Sequence, residues 1–264
     1  MVSKIKSKNR NSKYNRNIIP VYLPEINLGI VCPIANERDT AEFFVKDVLS
    51  ECQSFEFKSV KFFTIFDNAC RDGTFDIMLD LSNDINELKV IFAPENHTVV
   101  DAYMRGYQEA LNAGCNWILE IDAGYSHRPS DIPKFFETMI KGFDCVFGSR
   151  FCSGGTFTAS PRTRYLISRW GSILANFLLG TNLSDMTSGF QLFNNTTLER
   201  ILSKGIFSHG PFFQTEIRAH AHQFRITEVP IHYRTGSHIN DAKVLCDALI
   251  NLWRLFCLRL SNDL

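Results

Sequence analysis

Leu28-Gly29-Ile30-Val31-Cys32-Pro33-Ile34-Ala35-Asn36-Glu37 reads as a short apolar strand that breaks at a proline turn bearing a carboxylate. The same grammar recurs twice. An apolar run at 60–66 stops at Asp67-Asn68-Ala69-Cys70-Arg71-Asp72-Gly73-Thr74, and one at 117–121 runs into Asp122-Ala123-Gly124-Tyr125-Ser126-His127-Arg128-Pro129. Helical patterns separate these runs: 40–52, a helix opening near Asp72, and 99–113, closed by Gly114 in a C-cap role. Further strands fall at 88–93 and 144–147, with Ser130, Asp131 and Pro133 marking a helix start between. Short apolar runs alternating with helical patterns predict an α/β fold, a mostly parallel sheet covered by helices.

Downstream, 151–161 is loop-like around Gly154-Gly155, and a basic helix at 162–179 ends at Gly180. A strand at 190–193, a helix around 212–222 and a strand at 225–233 follow, and the last helix spans 242–260. In that helix Leu245, Ala248, Leu249, Leu252, Leu255 and Phe256 line an apolar face, opposite Asp247, Asn251 and Arg254. Such a face either packs on the domain or lies in a membrane interface.

The chain has 264 residues, 45% hydrophobic and 21% charged, enough to bury a sizeable core. Residues 1–24 carry Lys4, Lys6, Lys8, Arg10, Lys13 and Arg16 and no acidic residue, so they form a basic flexible arm before a domain at 25–264. The arm is either a solvated tail or a contact for anionic headgroups. A net charge of zero gives no reason to expect nucleic acid. None of the eight cysteines is spaced C-x-x-C, and Cys32, Cys70, Cys115, Cys145 and Cys246 sit in apolar runs. Buried free thiols in a reducing compartment are expected. No apolar leader and no run long enough to span a bilayer is visible, so the expected location is cytoplasmic, with peripheral contact at the cytosolic membrane face.

In open parallel sheets ligands bind at the carboxyl ends of strands, where the three polar clusters fall. Singly each is weak; an Asp-Gly-Thr is ordinarily a turn. In order, at successive strand tips, they resemble the family-2 glycosyltransferases, with their Pro-x-x-Asn-Glu, Asp-Asp-x-Ser-x-Asp-Gly-Thr and Asp-x-Asp. Gly148-Ser149-Arg150-Phe151, Asp185-Met186-Thr187-Ser188-Gly189-Phe190, Phe212-Phe213-Gln214-Thr215-Glu216 and Ile226-Thr227-Glu228-Val229-Pro230-Ile231 narrow the resemblance to the dolichol-phosphate mannose synthase group, from about residue 30 to 260. The resemblance implies a GT-A-type, Rossmann-like three-layer domain.

It also implies the chemistry. A departing nucleotide diphosphate gains negative charge, which a divalent cation held by oxygen ligands offsets. Asp122 is the expected ligand of Mg²⁺ or Mn²⁺, with Ser126 assisting. Where the family reads Asp-Ala-Asp, this chain has Gly124 in place of the second carboxylate. His127 falls on the family histidine and is expected to hydrogen-bond rather than ligate. Pro33, Ala35, Glu37 and Asp67 match positions that hold base and ribose, and Asn68 replaces a common carboxylate there. Arg150, Arg162, Arg164 and Arg169 cluster around the loop and basic helix, suited to phosphate. Asp185 is the candidate base for a sugar hydroxyl, and otherwise orients the site. Tyr233-Arg234-Thr235-Gly236-Ser237-His238 is a shortened version of the family's Arg-x-x-Gly-x-Ser-Lys loop, in which Arg234 reaches a phosphate and His238 is a stand-in for the lysine.

The expected activity is inverting, metal-assisted transfer of a hexose, with mannose favoured, from GDP-mannose or a UDP-hexose to a polyprenyl or dolichyl phosphate. Two alternatives stand beside it: a same-fold enzyme with a soluble or glycan acceptor, and a degenerate sugar-nucleotide-binding protein. A nucleotidyltransferase would need a glycine-rich phosphate loop after the first strand, which is not there. Glu95-Asn96-His97-Thr98-Val99-Val100 replaces a glycine-rich family segment.

Overall fold

A computed structural model describes residues 21–158, 162–234 and 242–264. Its centre is a seven-stranded sheet ordered β3-β2-β1-β4-β7-β5-β8. The strands are β1 (Val21–Pro33), β2 (Phe55–Phe66), β3 (Leu88–Phe92), β4 (Trp117–Glu120), β5 (Cys145–Ser149), β7 (Gln191–Asn194) and β8 (Ile226–Pro230). Neighbours are parallel except β7, which runs antiparallel to both β4 and β5. A second, two-stranded ribbon pairs β6 (Thr156–Thr158) with β9 (His232–Arg234) in parallel.

Three layers follow from alternation along the strands, because successive side chains point to opposite faces. Leu28, Ile30 and Cys32 of β1 join the core that holds Phe44, Val48, Met78, Phe135 and Phe136. These come from α1 (Ala41–Cys52), α2 (Thr74–Asp84) and α4 (Ile132–Met139). Val31, between them, joins the opposite core with Tyr107, Ala175, Leu198, Ile217 and Leu255. That layer is α3 (Val99–Asn112), α5 (Arg162–Leu179), α6 (Asn195–Ser203), α7 (Phe213–Ala221) and α8 (Ala242–Leu260). Helix α3 rides directly on β1: a Cβ at Gly106 would stand 2.3 Å from Val31 Cγ1. Its start explains the stretch that departs from the family pattern. Thr98 Oγ1 accepts from Asp101 N at 3.1 Å while Asp101 Oδ2 accepts from Thr98 N at 2.8 Å, a capping box that needs no glycine.

Several expectations need correction. Val21–Pro24, assigned to the arm, belong to β1, with Val21 opposite Phe55. The single strand at 225–233 is two, because Pro230 cannot donate to a ladder; the chain leaves the main sheet there and β9 joins β6. Helix α6 went unread, although Asn194 caps it by accepting from Thr197 N at 2.7 Å. Cys246 and Cys257 are exposed, whereas Cys32, Cys52, Cys115 and Cys145 are buried free thiols.

The largest reversal is α8. Its polar residues face the protein: Asp247 Oδ2 accepts from Ser208 Oγ at 2.5 Å, Asn251 is buried, and Arg254 Nη1 donates to Glu216 Oε1 at 3.0 Å. Leu252 and Leu255 of the apolar face are buried beneath, but Leu245 and Leu249 of that face are exposed, with Ile250 and Trp253. Among the described residues no helix is long and apolar enough to cross a membrane.

Candidate active site

The sheet order sets the tips of β2, β1 and β4 side by side, so the three polar clusters meet. Asn36, in the left-handed region at φ 58°, locks the first two together. Its Nδ2 donates to Ala69 O at 2.9 Å, and its Oδ1 accepts from Arg71 N at 3.0 Å. Thr74 Oγ1 accepts from Glu37 N at 2.9 Å, and Asp72 accepts from Thr74 N and Arg38 N, each at 3.0 Å. Asp72 thus shapes the loop. Asp67, half-buried, accepts from Ala69 N at 2.8 Å, and Asn68 Nδ2 donates to Pro94 O at 3.1 Å. Pro33, Ala35, Glu37, Asp67 and Asn68 therefore lie at neighbouring strand tips.

Asp122 follows β4, its side chain 39% exposed. Tyr103, from α3, donates to its Oδ1, and His127 Nδ1 lies 3.5 Å from its Oδ2. His127 is fully buried between Phe190 and Tyr233, with centroids 5.1 and 5.2 Å away. Burial lowers its pKa and keeps it neutral. Gly124 and Tyr125 both take positive φ, 70° and 58°. Tyr125 is held there by its hydroxyl on Asp47 Oδ2 at 2.6 Å and by an edge contact with Phe44. Glycine at 124 leaves room for the Glu37 carboxylate, because a Cβ there would stand 2.3 Å from Glu37 Oε1.

Arg150 and Asp185 form a buried pair, with side chains 4% and 0% exposed. Arg150 Nε and Nη2 donate to Asp185 Oδ2 and Oδ1 at 2.7 and 2.8 Å, and Arg150 N adds a third bond at 3.1 Å. Thr187 N and Oγ1 complete the carboxylate's shell at 3.0 and 3.1 Å. The rings of Phe151, Phe157 and Tyr233 lie 5.2, 5.0 and 5.2 Å from the guanidinium carbon. Burial alone would raise the Asp185 pKa, but the Arg150 charge and its hydrogen bonds outweigh it and hold the carboxyl far below the usual range. Both Asp185 oxygens are thus occupied by donors from Arg150 and Thr187.

Neighbouring carboxylates hold the frame. Glu228 accepts from Ser184 N and Asp185 N at 2.7 and 2.9 Å, which fixes the loop that carries Asp185. Glu216 accepts from Phe207 N, Ser208 N and Arg254, tying α7 to α8. Glu120, fully buried, accepts from Tyr107, Gln191 and Gln214, and burial pushes its pKa up to about 8 despite those donors.

A cavity of about 790 Å³ opens from Asp122, lined there by Ser126, Arg150, Arg164 and Tyr233. Arg164 Nη2 donates to Tyr233 Oη at 3.1 Å. From this polar end the cavity runs between α5 and α8, where Ile167, Leu174, Leu245, Ala248 and Leu249 make the walls.

Glycosyl transferase family 2 matches residues 29–202, about two thirds of the sequence. The chain is a family 2 glycosyltransferase. The glycosyltransferase is 27% identical to the polyprenol monophosphomannose synthase of Mycolicibacterium smegmatis over 225 residues, 81% of this chain and 83% of that one. It is 30% identical to the undecaprenyl-phosphate mannosyltransferase of Micrococcus luteus over 195 residues, 72% and 80% of the two. Its fold is that of the Mycobacterium tuberculosis glucosyl-3-phosphoglycerate synthase bound to Mn²⁺, UDP-glucose and phosphoglyceric acid. That comparison gives a TM-score of 0.61 at 16% identity, over 87% of this chain and 80% of that one.

Within the glycosyltransferase, Asp122, Ser126, Arg150 and Arg164 share one cavity. Arg234 ends β9, where its backbone N donates to Ser126 O at 2.8 Å, so the β6–β9 ribbon is tied to the Asp122 loop. His238 and the basic arm's first twenty residues lie outside the described residues. Arg169 donates to Ser184 O at 3.2 Å and flanks the Phe151 ring with Arg150, and Arg162 is exposed, so of the four expected arginines Arg150 and Arg164 line the cavity. Tyr103, Thr187 and Tyr233 were missed. Tyr103 sits one helical turn before Gly106 and Tyr107 on the buried face of α3, a spacing that was the available signal.

Proposed function

We propose that this glycosyltransferase moves a hexose, with mannose favoured, from GDP-mannose or a UDP-hexose to a polyprenyl phosphate, with inversion. The cavity carries the reading. One end offers Arg150 and Arg164 beside Asp122, and the rest is an apolar trough between α5 and α8. A phosphate attached to a long apolar chain matches both ends at once, and a free sugar matches neither. The relatives' names concur.

The donor's base and ribose belong with Pro33, Ala35, Glu37, Asp67 and Asn68, which leaves its diphosphate over Asp122. In the transfer the acceptor phosphate oxygen bonds the anomeric carbon as the bond to the nucleotide diphosphate breaks. A phosphate oxygen is already ionised near neutral pH, so no base is needed. That agrees with Asp185 being saturated and Glu120 sealed. Arg164 and Arg234 are the candidate phosphate ligands, and Arg150 shapes the wall between them.

The donor set suits a hard divalent cation, Mg²⁺ or Mn²⁺, held by Asp122 with Ser126 assisting. No group of three His, Cys, Asp or Glu among the described residues could hold it alone, so diphosphate oxygens must complete the shell. When bound, the cation offsets charge on the leaving diphosphate. Leu166, Trp170, Ile173 and Phe177 of α5 and Leu249, Ile250 and Trp253 of α8 are exposed beside the trough and would rest in a bilayer's interfacial layer, where the acceptor resides.

The test is transfer of labelled sugar from a panel of GDP- and UDP-sugars to polyprenyl phosphate in detergent, with Mg²⁺, Mn²⁺ or chelator. Metal-dependent label in the lipid phase, lost in Asp122→Ala, is the expected result. Label on added soluble acceptors alone would make the trough a site for something other than a lipid chain.

A further inference from the structure

We infer that Glu37 supplies the second carboxylate of the cation site, reaching from the tip of β1 into the place of the side chain that Gly124 lacks. The inference rests on donor use as proposed above and, within it, moves Glu37 from the base and ribose to the cation.

The geometry is specific. A Cβ built on Gly124 would meet Glu37 Oε1 at 2.3 Å, Cδ at 2.8 Å and Oε2 at 3.0 Å. The carboxylate of one strand tip therefore occupies the volume where a residue-124 side chain would begin, two residues after Asp122. Glu37 is positioned for this. Its backbone N donates to Thr74 Oγ1 at 2.9 Å and its Oε2 accepts from the Thr40 hydroxyl. Among the described residues no donor reaches Oε1, and no lysine or arginine pairs with Glu37.

A second observation is independent of the acids. His127 is fully buried with neither ring nitrogen hydrogen-bonded, and its Nδ1 faces Asp122 Oδ2 from 3.5 Å. A buried imidazole without a partner costs stability that a native fold does not give up without compensation. Carboxylates that ligate metals are held by such outer-shell donors. Tyr103 donates to Oδ1 and His127 Nδ1 stands beside Oδ2, while the Asp122 side chain keeps an exposed part for a cation. Two carboxylates plus diphosphate oxygens are the usual hard-cation set.

The readout is Mn²⁺ binding, followed by the loss of the free-ion electron paramagnetic signal, with and without GDP or UDP. The parent, Glu37→Gln, and the exchange Glu37→Ala/Gly124→Asp are compared, each with its melting temperature. Aspartate enters the left-handed region more readily than most residues, so φ 70° tolerates the exchange. In the parent, Mn²⁺ binding should require nucleotide. Glu37→Gln, which removes a direct ligand, should weaken it by at least about the 10-fold that loss of an outer-shell partner costs, and the exchange should bring it back towards the parent. Unchanged Mn²⁺ affinity in Glu37→Gln, alongside weaker nucleotide binding in chelator, would overturn the assignment and give Glu37 to base or ribose; metal-assisted transfer would still stand. A parent that takes up no Mn²⁺ with either nucleotide would overturn both.

Discussion

Replacing Asp185 with asparagine should unfold this protein more readily before it affects any proton transfer. The substitution keeps shape and removes charge. It leaves the Arg150 guanidinium, 4% exposed, without the carboxylate that accepts from its Nε, Nη2 and backbone N. The loss is aggravated nearby: Arg218 is also fully buried, none of its guanidinium nitrogens has a hydrogen-bond partner, and Asp185 is the largest favourable charge acting on it. Breaking a buried pair from one side costs about 3–5 kcal/mol. At ~2–4 °C per kcal/mol for a domain of this size, the melting temperature should drop by roughly 6–20 °C. Scanning calorimetry reads this directly. A double change, Arg150→Met/Asp185→Leu, should recover the part of that loss that comes from the stranded Arg150 but not the part that falls on Arg218, and transfer should stay lost because the wall beside Arg164 has changed. An Asp185→Asn protein that melts like the parent but has lost turnover would refute this reasoning and return Asp185 to the role of base.

Glu120, raised to about 8 by burial, binds a proton in the fold that it does not bind when unfolded between its usual 4.5 and about 8. Its contribution to stability is therefore full at low pH and lost as pH rises through that window; denaturant melts of Glu120→Gln should show a flatter pH dependence than the parent. Trp170 and Phe177 are 64% and 80% exposed. If they insert into a bilayer at roughly 1–2 kcal/mol each, Trp170→Ser/Phe177→Ser should weaken vesicle binding on the order of 10²-fold in sedimentation with anionic liposomes, at an unchanged melting temperature. Equal binding by parent and variant would remove α5 from any membrane contact.

The strand tips were legible because their chemistry is local. A proline turn, an Asp-Gly-Thr and a carboxylate after an apolar run each report a chain reversal within a few residues. What stayed illegible was pairing across distance. Asp185 could be read as a base only while Arg150, 35 positions away, was not seen to saturate it. The outward turn of α8 escaped because periodicity reports that a face is apolar and not what meets it. Here Asp247 and Arg254 found polar partners in 207–216, Asn251 donates to Asp247, and Leu245 and Leu249 turned out. The split at Pro230 was readable from proline alone.

Strand β7 has a consequence for how this chain is made. The ladder β3-β2-β1-β4 is parallel throughout and is finished by residue 120, yet one edge of β4 stays open until residues 191–194 are available to cover it. Synthesis delivers the chain from its amino end, so an incomplete sheet must wait some seventy residues with backbone donors and acceptors unpaired. β7 then closes two seams at once, to β4 and to β5, and Gln191 donates to Glu120 across the first. A slip of one residue would take that amide from the buried acid and turn Leu192 to the wrong face. The polar knot thus acts as a register key, and the keystone strand is where a misassembled copy of this protein would first go wrong.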